Sequence, residues 1–260
     1  MHVRYRVDGS VARIELDRPE VLNALDEQMG RELAAAVRRA TGEAEVRAVL
    51  LTGAGRSFCA GADLRAPRAT LEDGAPDLAS RLRAIYNPLI VSLRRMPKPI
   101  ICAVQGAAAG IGASLALACD LIVASESAYF LLSFARIGLV PDGGVVAGLA
   151  ARIGPARALR LAMLGEPLSA PVAAEWGVLG DVVADGDLQA EAEQFALRLA
   201  EGPTTVYAGL KRLVFDGSAR TLIDQLELEA SLQQQQGFTA DYAEGVAAFL
   251  EKRAPKFPGR

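Results

Sequence analysis

Histidine is almost absent from this chain of 260 residues, and the only one is His2. Ser-His-Asp triads, Cys-His nucleophile pairs and histidine-rich metal sites all need an imidazole at the reacting centre. His2 stands beside the N-terminus, where we expect the chain to fray. These three kinds of site are therefore excluded, and any proton transfer is expected to fall to a carboxylate.

Cysteine is also scarce, and neither sign of charge dominates. Cys59, Cys102 and Cys119 are odd in number and lack the Cys-x-x-Cys spacing, which predicts buried, reduced thiols in a cytoplasmic protein. The net charge is −3, from 28 basic and 31 acidic side chains. No long basic run is present, so we expect no nucleic-acid partner. No metal or redox cofactor is implied.

One long segment, residues 99–119, has no charged side chain at all. It resembles a membrane span only in length, because Gln105 and Gly106 interrupt it and its many alanines are weakly hydrophobic. The same letters fit a buried strand followed by a buried helix, which is the interpretation we favour. The first residues alternate charged and apolar side chains, unlike a signal peptide. We therefore expect no membrane partner.

The remaining pattern alternates strands with helices and then becomes helical. A hairpin is predicted over 3–7 and 11–16, and a helix that Asn23 or Asp26 caps and that runs to about 41. Further strands are predicted at 46–51, 100–105 and 121–124, a surface loop at 65–79 and a helix at 78–95. Beyond Gly143 almost everything is predicted helical, at about 144–152, 155–164, 169–176, 187–201, 203–215, 221–236 and 239–252.

Strand, turn and helix recur near residues 11–41, 46–64 and 100–119. This recurrence favours repeated β-β-α units over a simple doubly wound sheet. The predicted fold class is therefore α/β, with a compact core followed by a helical C-terminal region.

Two glycine-rich turns each follow a buried strand, at residues 59–63 and 106–112. The second lacks the third glycine of a dinucleotide fingerprint, and Ser114 has no histidine that could activate it as a nucleophile. Both turns offer backbone N–H groups that few side chains obstruct, and such donors can stabilise an oxyanion. The alternative is that the glycines only permit tight turns and close packing.

Five segments resemble the enoyl-CoA hydratase/isomerase (crotonase) family, in the family's order and over nearly the whole chain. They are Arg18-Pro19 with Asn23-Ala24-Leu25-Asp26; Leu51-Thr52-Gly53 with Phe58-Cys59-Ala60-Gly61-Ala62-Asp63-Leu64; Lys98-Pro99-Ile100 with Gly106, Gly110 and Gly112; Gly138-Leu139-Val140-Pro141; and Phe249-Leu250-Glu251-Lys252-Arg253.

The resemblance implies a crotonase-like spiral of ββα repeats over residues 1–200, which carries an acyl-CoA site. Residues 201–260 would form a helical C-terminal oligomerisation region, giving a homotrimer or a dimer of trimers. Coenzyme A would enter as part of the acyl-CoA thioester substrate, and the N–H groups of Ala62 and Ile111 would polarise its carbonyl. The resemblance places substrate and CoA contacts at Val21, Leu22, Ala60, Ala62, Asp63, Leu64, Ile111, Phe249 and Lys252. Phe249 and Lys252 would reach the nucleotide from a neighbouring subunit, although Lys252 also fits a solvated lysine at a helix end.

Departures from the family pattern bear on the reaction. Ser114 and about Phe134 stand where hydratases of this family carry their two catalytic glutamates. Asp142 stands where several relatives without those glutamates place an aspartate as base and proton shuttle. Taken alone, an aspartate before a helix is more often an N-cap, so that alternative stays open. We expect apolar walls from Phe130, Leu132, Phe134 and Ile137 to raise its pKa.

A narrower resemblance points to the phenylacetate-pathway isomerases of this family, which rearrange ring-1,2-epoxyphenylacetyl-CoA. It rests on Tyr86-Asn87-Pro88-Leu89, Leu139-Val140-Pro141-Asp142-Gly143 and Glu175-Trp176-Gly177, among other segments. The expected activity is an acyl-CoA isomerase with Asp142, Ala62 and Ile111 at its reacting centre. The alternatives are an enoyl-CoA hydratase, which would be slow without both glutamates, and a non-catalytic acyl-CoA-binding protein.

Overall fold

The computed structural model describes residues 1–67, 69–217 and 220–260, so Arg68 of the predicted surface loop lies outside the described residues. The strands are β1 (Val3–Asp8), β2 (Val11–Leu16), β3 (Ala48–Gly53), β4 (Ile100–Val104), β5 (Ala107–Ala109), β6 (Leu121–Ser125), β7 (Tyr129–Leu131), β8 (Pro167–Ser169) and β9 (Asp181–Val183). The helices are α1 (Glu27–Gly42), α2 (Leu78–Arg81), α3 (Asn87–Arg95), α4 (Ile111–Ala118), α5 (Val145–Ile153), α6 (Pro155–Leu164), α7 (Ala170–Glu175), α8 (Leu188–Ala200), α9 (Thr204–Gly217), α10 (Leu222–Gln236) and α11 (Ala240–Glu251).

The main sheet has six strands in the order β1-β2-β3-β4-β6-β9. The predicted hairpin is confirmed: β1 and β2 pair antiparallel, with Val3 opposite Leu16 and Asp8 opposite Val11. The other neighbours run parallel. Parallel strands all end at the same edge of a sheet, so the loops after β3, β4 and β6 emerge together.

A second, smaller layer crosses those loops. It contains the sheet β5-β7-β8 and two parallel bridges, Leu25 to Ala62 and Cys59 to Ala108. The unit of main-sheet strand, second-layer strand and helix is complete in β4-β5-α4 and recurs in β6-β7-α5. These units form the predicted spiral of ββα repeats. The repeat predicted over 46–64 is wrong in extent, because the next helix begins only at Leu78.

Four three-residue strands were not predicted. β5 and β7 follow the predicted strands, whereas β8 and β9 interrupt the region beyond Gly143 that was predicted almost entirely helical. That prediction is wrong there because a strand of three residues is too short to show the apolar/polar alternation that identifies a strand. β8 pairs with β7 and β9 with β6, so distant partners decide these strands. The helices α5 to α11 begin and end within about two residues of the predicted bounds.

The uncharged segment is buried inside the protein, as predicted. All residues of β4 and of α4 are buried. On one face of the sheet α8 packs with its alanines against β3, β4 and β6, and α1, α3 and α4 cover the opposite face. Within the three described ranges, no helix combines the length and apolar character that crossing a bilayer requires.

The N-terminus is not frayed, contrary to the prediction. Glu32 on α1 accepts hydrogen bonds from the backbone N–H groups of His2 and Val3. The imidazole Nδ1 of His2 lies 3.4 Å from the carboxylate of Asp26. Asp26 also settles the start of α1, because its side chain accepts a hydrogen bond from Met29 N–H at 2.7 Å.

Candidate active site

The two glycine-rich turns lie side by side. Cys59 N–H donates to Ala107 O at 2.9 Å, and Ala109 N–H donates back to Cys59 O at 2.8 Å. Gly61 has φ +105°, and a Cβ there would lie 3.1 Å from Ala109 O. Glycine is therefore needed at this position, both for its conformation and for the close approach of the two backbones.

Neither the N–H of Ala62 nor that of Ile111 donates to an acceptor in the described part of the chain. Their neighbours are bonded: Asp63 N–H donates to Leu25 O at 2.8 Å, and Gly110 N–H donates to Leu131 O at 2.9 Å. Ile111 is the first residue of α4, whose N-cap Gly110 provides no side-chain cap. The structure thus leaves a free donor in each turn, one of them at the positive end of a helix dipole.

Gly112 allows α4 to pack directly on the first turn. A Cβ at Gly112 would collide with the carbonyl oxygen of Cys59 and lie 2.8 Å from its Cβ and Sγ. Gly112 thus permits close packing, as the alternative held, and this packing also brings the two donor-bearing turns together.

Asp142 lies in the turn between the segment 133–137 and α5, followed by Gly143 and Gly144 at φ +62° and +71°. The N-cap alternative is wrong, because the N-cap of α5 is Gly144 and no side chain caps that helix. The Oδ1 atom of Asp142 is buried and has no hydrogen-bond partner among the described residues. Burial raises the pKa of this carboxyl to about 6.

The Asp142 turn is docked on the first turn of α4. Ser114 Oγ donates to the backbone oxygen of Asp142 at 3.0 Å. A Cβ at Gly143 would lie 2.5 Å from Ser114 Cβ and 3.1 Å from Ile111 Cδ1. Asp142, Ile111 and, through the Cys59–Ala108 bridge, Ala62 are therefore brought into one site.

The expected rise in the pKa of Asp142 is confirmed, and three of the four apolar residues predicted to surround it are buried. Phe130, Leu132 and Phe134 are buried, and the ring of Phe134 lies 3.8 Å from where a Cβ of Gly110 would stand. Ile137, the fourth, is 51% exposed, and its part in burying Asp142 stays a prediction. It ends the short 3₁₀ helix and faces solvent because the chain reverses there at Gly138.

Comparison with known proteins decides the family. The sequence profile described as "Enoyl-CoA hydratase/isomerase" matches residues 6–260. The chain belongs to the enoyl-CoA hydratase/isomerase family. A solved enoyl-CoA hydratase from Bacillus anthracis has the same fold, with a TM-score of 0.93 at 30% identity over 100% of both chains.

Curated relatives of this family carry more than one activity in their names. A Rhodobacter capsulatus protein named "Probable enoyl-CoA hydratase" is 45% identical and covers 99% of this chain and 98% of its own length. The 1,2-epoxyphenylacetyl-CoA isomerase of Escherichia coli is 44% identical, with 98% and 97% covered. Family membership therefore supports an enzyme of the enoyl-CoA hydratase/isomerase type, while relatives of nearly equal identity carry different activities in their names.

The candidate CoA-side residues of the family site lie on one strip of backbone. Ala60 N–H donates to Leu22 O at 2.9 Å, and Val21 ends a short 3₁₀ helix, Pro19–Val21, beside it. Asp63 is half-buried, and Leu64 is 56% exposed at the edge of the strip. Burial alone would raise the pKa of Asp63, but hydrogen bonds from the Arg65 N–H and the Arg18 guanidinium bring it below its usual range.

Phe249 and Lys252 lie elsewhere, at the end of α11. Phe249 is 83% exposed, and Lys252 occupies the C-cap of that helix at φ +54°. The hydrogen bonds and close contacts that join the other candidates do not include these two residues. Their assignment to a neighbouring subunit's site stays a prediction.

Three residues that organise the family site were not predicted to do so. Asn23 is fully buried, and its amide donates to Ala54 O and Ser57 O, both at 2.8 Å. Arg18 pairs with Asp26 and Asp63, each at 3.1 Å, and thereby ties the strip to the start of α1. Asn23 and Arg18 both lie in the segment 18–26, whose sequence indicated the family but did not indicate these contacts.

Tyr86 is the third. It ends a π-helical turn, Leu82–Tyr86, which places it and Ile85 in the core. Its hydroxyl lies 3.4 Å from Leu25 O, next to the Ala62 bridge. Burial raises its pKa to about 12, with smaller contributions that include the charge of Asp142. An inserted turn of this kind has no signal in the helical periodicity of 78–95.

Proposed function

We propose that this protein is an acyl-CoA isomerase that shifts a double bond, or rearranges a ring epoxide, in a CoA thioester through an enolate. One observation carries the proposal: the turn with a buried, unpartnered Asp142 oxygen packs on the helix start whose Ile111 N–H is free. A proton acceptor and an oxyanion donor are thereby held against each other.

The N–H groups of Ala62 and Ile111 are proposed to bind the thioester oxygen. Negative charge grows on that oxygen as the enolate forms, so donors that already point at it stabilise the transition state more than the substrate. The helix dipole of α4 adds to the Ile111 donor. Loss of one such donor typically costs roughly 3–4 kcal/mol of barrier.

Asp142 is proposed to move the proton. With a 3-enoyl thioester, the ionised carboxylate takes a proton from C2, and the electron pair passes into the thioester to give the dienolate. The protonated carboxyl then returns the proton to C4, leaving the double bond between C2 and C3. A pKa of about 6 makes Asp142 a stronger base than an ordinary aspartate and still leaves it largely ionised at neutral pH.

The same groups suit an aryl substrate. The name of the Escherichia coli relative, 1,2-epoxyphenylacetyl-CoA isomerase, supports a ring epoxide as the finer choice of substrate. Val21, Leu22, Ala60, Asp63 and Leu64 are proposed to contact the CoA portion. Phe249 and Lys252 would do so from a second copy, in a homotrimer or a dimer of trimers, and their exposure in one copy supports this role.

Asp142→Asn tests the proposal. We expect isomerisation of a 3-enoyl-CoA, and exchange of its C2 proton in D2O, to fall by at least about 10³-fold, because an amide cannot accept the proton. Binding of the acyl-CoA should change little. The exposed Asp187→Asn is the matched control and should keep wild-type rates. Isomerisation that survives in Asp142→Asn would show that Asp142 is not the base.

Hydration is the second candidate, favoured by the name of the Rhodobacter capsulatus relative. Ser114 and Phe134 cannot activate water as glutamates do, so we expect hydration of crotonyl-CoA to be slow compared with isomerisation. Mass spectrometry of the products distinguishes the two, since only hydration adds water. Tight acyl-CoA binding with no product of either kind would instead indicate a non-catalytic binding protein.

A further inference from the structure

Ser114 connects α4 to the turn that carries Asp142, and it has no role in the proposed reaction. It lies one turn into α4, is 1% exposed, and its hydroxyl donates to the backbone oxygen of Asp142 at 3.0 Å. The carbonyl of Gly110, one turn earlier in the same helix, is a more distant acceptor at 3.5 Å. Ser114 therefore directs its hydroxyl out of its own helix and toward the turn that carries Asp142.

Gly143, the residue after Asp142, also packs closely against Ser114. Gly143 follows Asp142 at φ +62°, and a side chain there would come within 2.5 Å of Ser114 Cβ and 2.9 Å of Ser114 Oγ. The Asp142–Gly143 turn therefore contacts the Ser114 side chain through backbone atoms only. Any side chain at 143, or a branched or longer side chain at 114, would push the turn away from α4.

We propose that Ser114 is a positioning residue that fixes the Asp142 carboxylate relative to the Ile111 N–H. This inference rests on the proposed function of those two groups. Ile111 and Ser114 lie three residues apart on one face of α4, so a single rigid element sets both the oxyanion donor and the acceptor turn. Displacing a reacting group by about 1 Å can cost about 10²-fold in rate.

The hydrogen bond has a further consequence for Asp142. Held against α4, the carboxyl stays largely out of water, and that desolvation is what raises its pKa. Tyr86 in the π-helical turn is near enough for the charge of Asp142 to contribute to its raised pKa of about 12, and the neutral phenol adds no charge beside Asp142 at neutral pH. Freed from Ser114, the turn would let water reach the carboxylate, and the pKa of Asp142 would fall.

Ser114→Ala and the isosteric Ser114→Cys test this inference. Ser114→Ala removes the donor and should lower kcat for 3-enoyl-CoA isomerisation about 10-fold, with KM within about 2-fold of wild type. The acidic midpoint of kcat/KM should move from about pH 6 toward the ordinary aspartate range. Ser114→Cys keeps a weak donor and should fall between wild type and Ser114→Ala in both readouts.

Ser92→Ala is the matched control, because Ser92 Oγ also donates to a backbone carbonyl, that of Pro88 at 2.8 Å on α3. It should leave kcat and the midpoint unchanged. If Ser114→Ala keeps the wild-type midpoint and kcat while Asp142→Asn is inactive, Ser114 only packs, and the proposed function stands. If Asp142→Asn retains isomerisation, the base assignment fails, and the role inferred for Ser114 fails with it.

Discussion

At Asp142, the burial that favours proton transfer also affects folding. The carboxyl has a pKa of about 6 in the folded chain against 3.8 for an ordinary aspartate, and burial is the main cause. Between these pH values the folded state binds the proton that the unfolded state has lost. The free energy of unfolding therefore falls as the pH rises from about 4 to about 6, and the loss persists above that range.

Asp142→Asn should consequently be inactive and yet more stable at neutral pH. A shift of about two pH units corresponds to at most about 3 kcal/mol, and partial exposure of the side chain lowers this to about 1–2 kcal/mol at pH near 7.5. Near pH 3 the variant and the wild type should be about equally stable, since Asp142 is then mostly protonated in both the folded and the unfolded state. Urea unfolding at the two pH values measures this. Equal stabilisation at both would contradict the burial of a charged carboxylate.

At the scale of elements, the site depends on how closely α4 lies against the turn 59–62. Gly112→Ala would push α4 away, because the new methyl group collides with Cys59 O. The free donors of Ala62 and Ile111 would then separate, and we expect isomerisation to fall by about 10²–10³-fold. Steady-state assays with a 3-enoyl-CoA measure the loss.

Gly42→Ala is the matched control for this change, since Gly42 lies in the last turn of α1 with no atom within 4 Å of a new Cβ. It should keep full activity and gain slightly in stability. A Gly112→Ala protein with wild-type kcat would show that the contact of the two turns does not set the donor geometry.

At the scale of the whole molecule, a buried ion pair joins the C-terminal helices to the core. Lys211 on α9 lies 2.8 Å from the carboxylate of Asp120, which follows α4. Its ammonium group also donates to Lys98 O at 3.1 Å and Leu93 O at 3.3 Å. Asp120 in turn accepts a hydrogen bond from Ile100 N–H at 2.8 Å, so the pair holds α9 against the start of β4.

Lys211→Met should destabilise the protein by about 3–5 kcal/mol at neutral pH, because it leaves the Asp120 carboxylate buried without its cation. The double variant Lys211→Met/Asp120→Asn should recover part of that loss. Urea unfolding measures both, and the exposed Lys256→Met serves as the control. If the single and double variants were equally destabilised, the cost would come from lost packing of α9 and not from an unpaired charge.

Much of the secondary structure was predictable because the local spacing of apolar residues and turn residues determines it. The β1-β2 hairpin follows from two alternating runs around Asp8-Gly9-Ser10, and α5 to α11 follow from apolar spacing and turn residues. β8, β9 and the π-helical turn at 82–86 were missed, since tertiary partners determine them. The tethered N-terminus was also missed, because Glu32 reaches it from a helix thirty residues away in the chain.

The sequence by itself determined the family and the short list of groups that could carry chemistry. With His2 as the sole histidine and no glutamate at 114 or 134, it left Asp142 as the candidate for proton transfer. Only the tertiary structure decided that Asp142 does not cap α5, that its Oδ1 is buried without a partner, and that Ser114 and Gly143 hold it against α4. The reason is physical: each of these facts is a contact between segments far apart in the chain, and local residue patterns carry no information about desolvation or about which distant backbone a side chain meets.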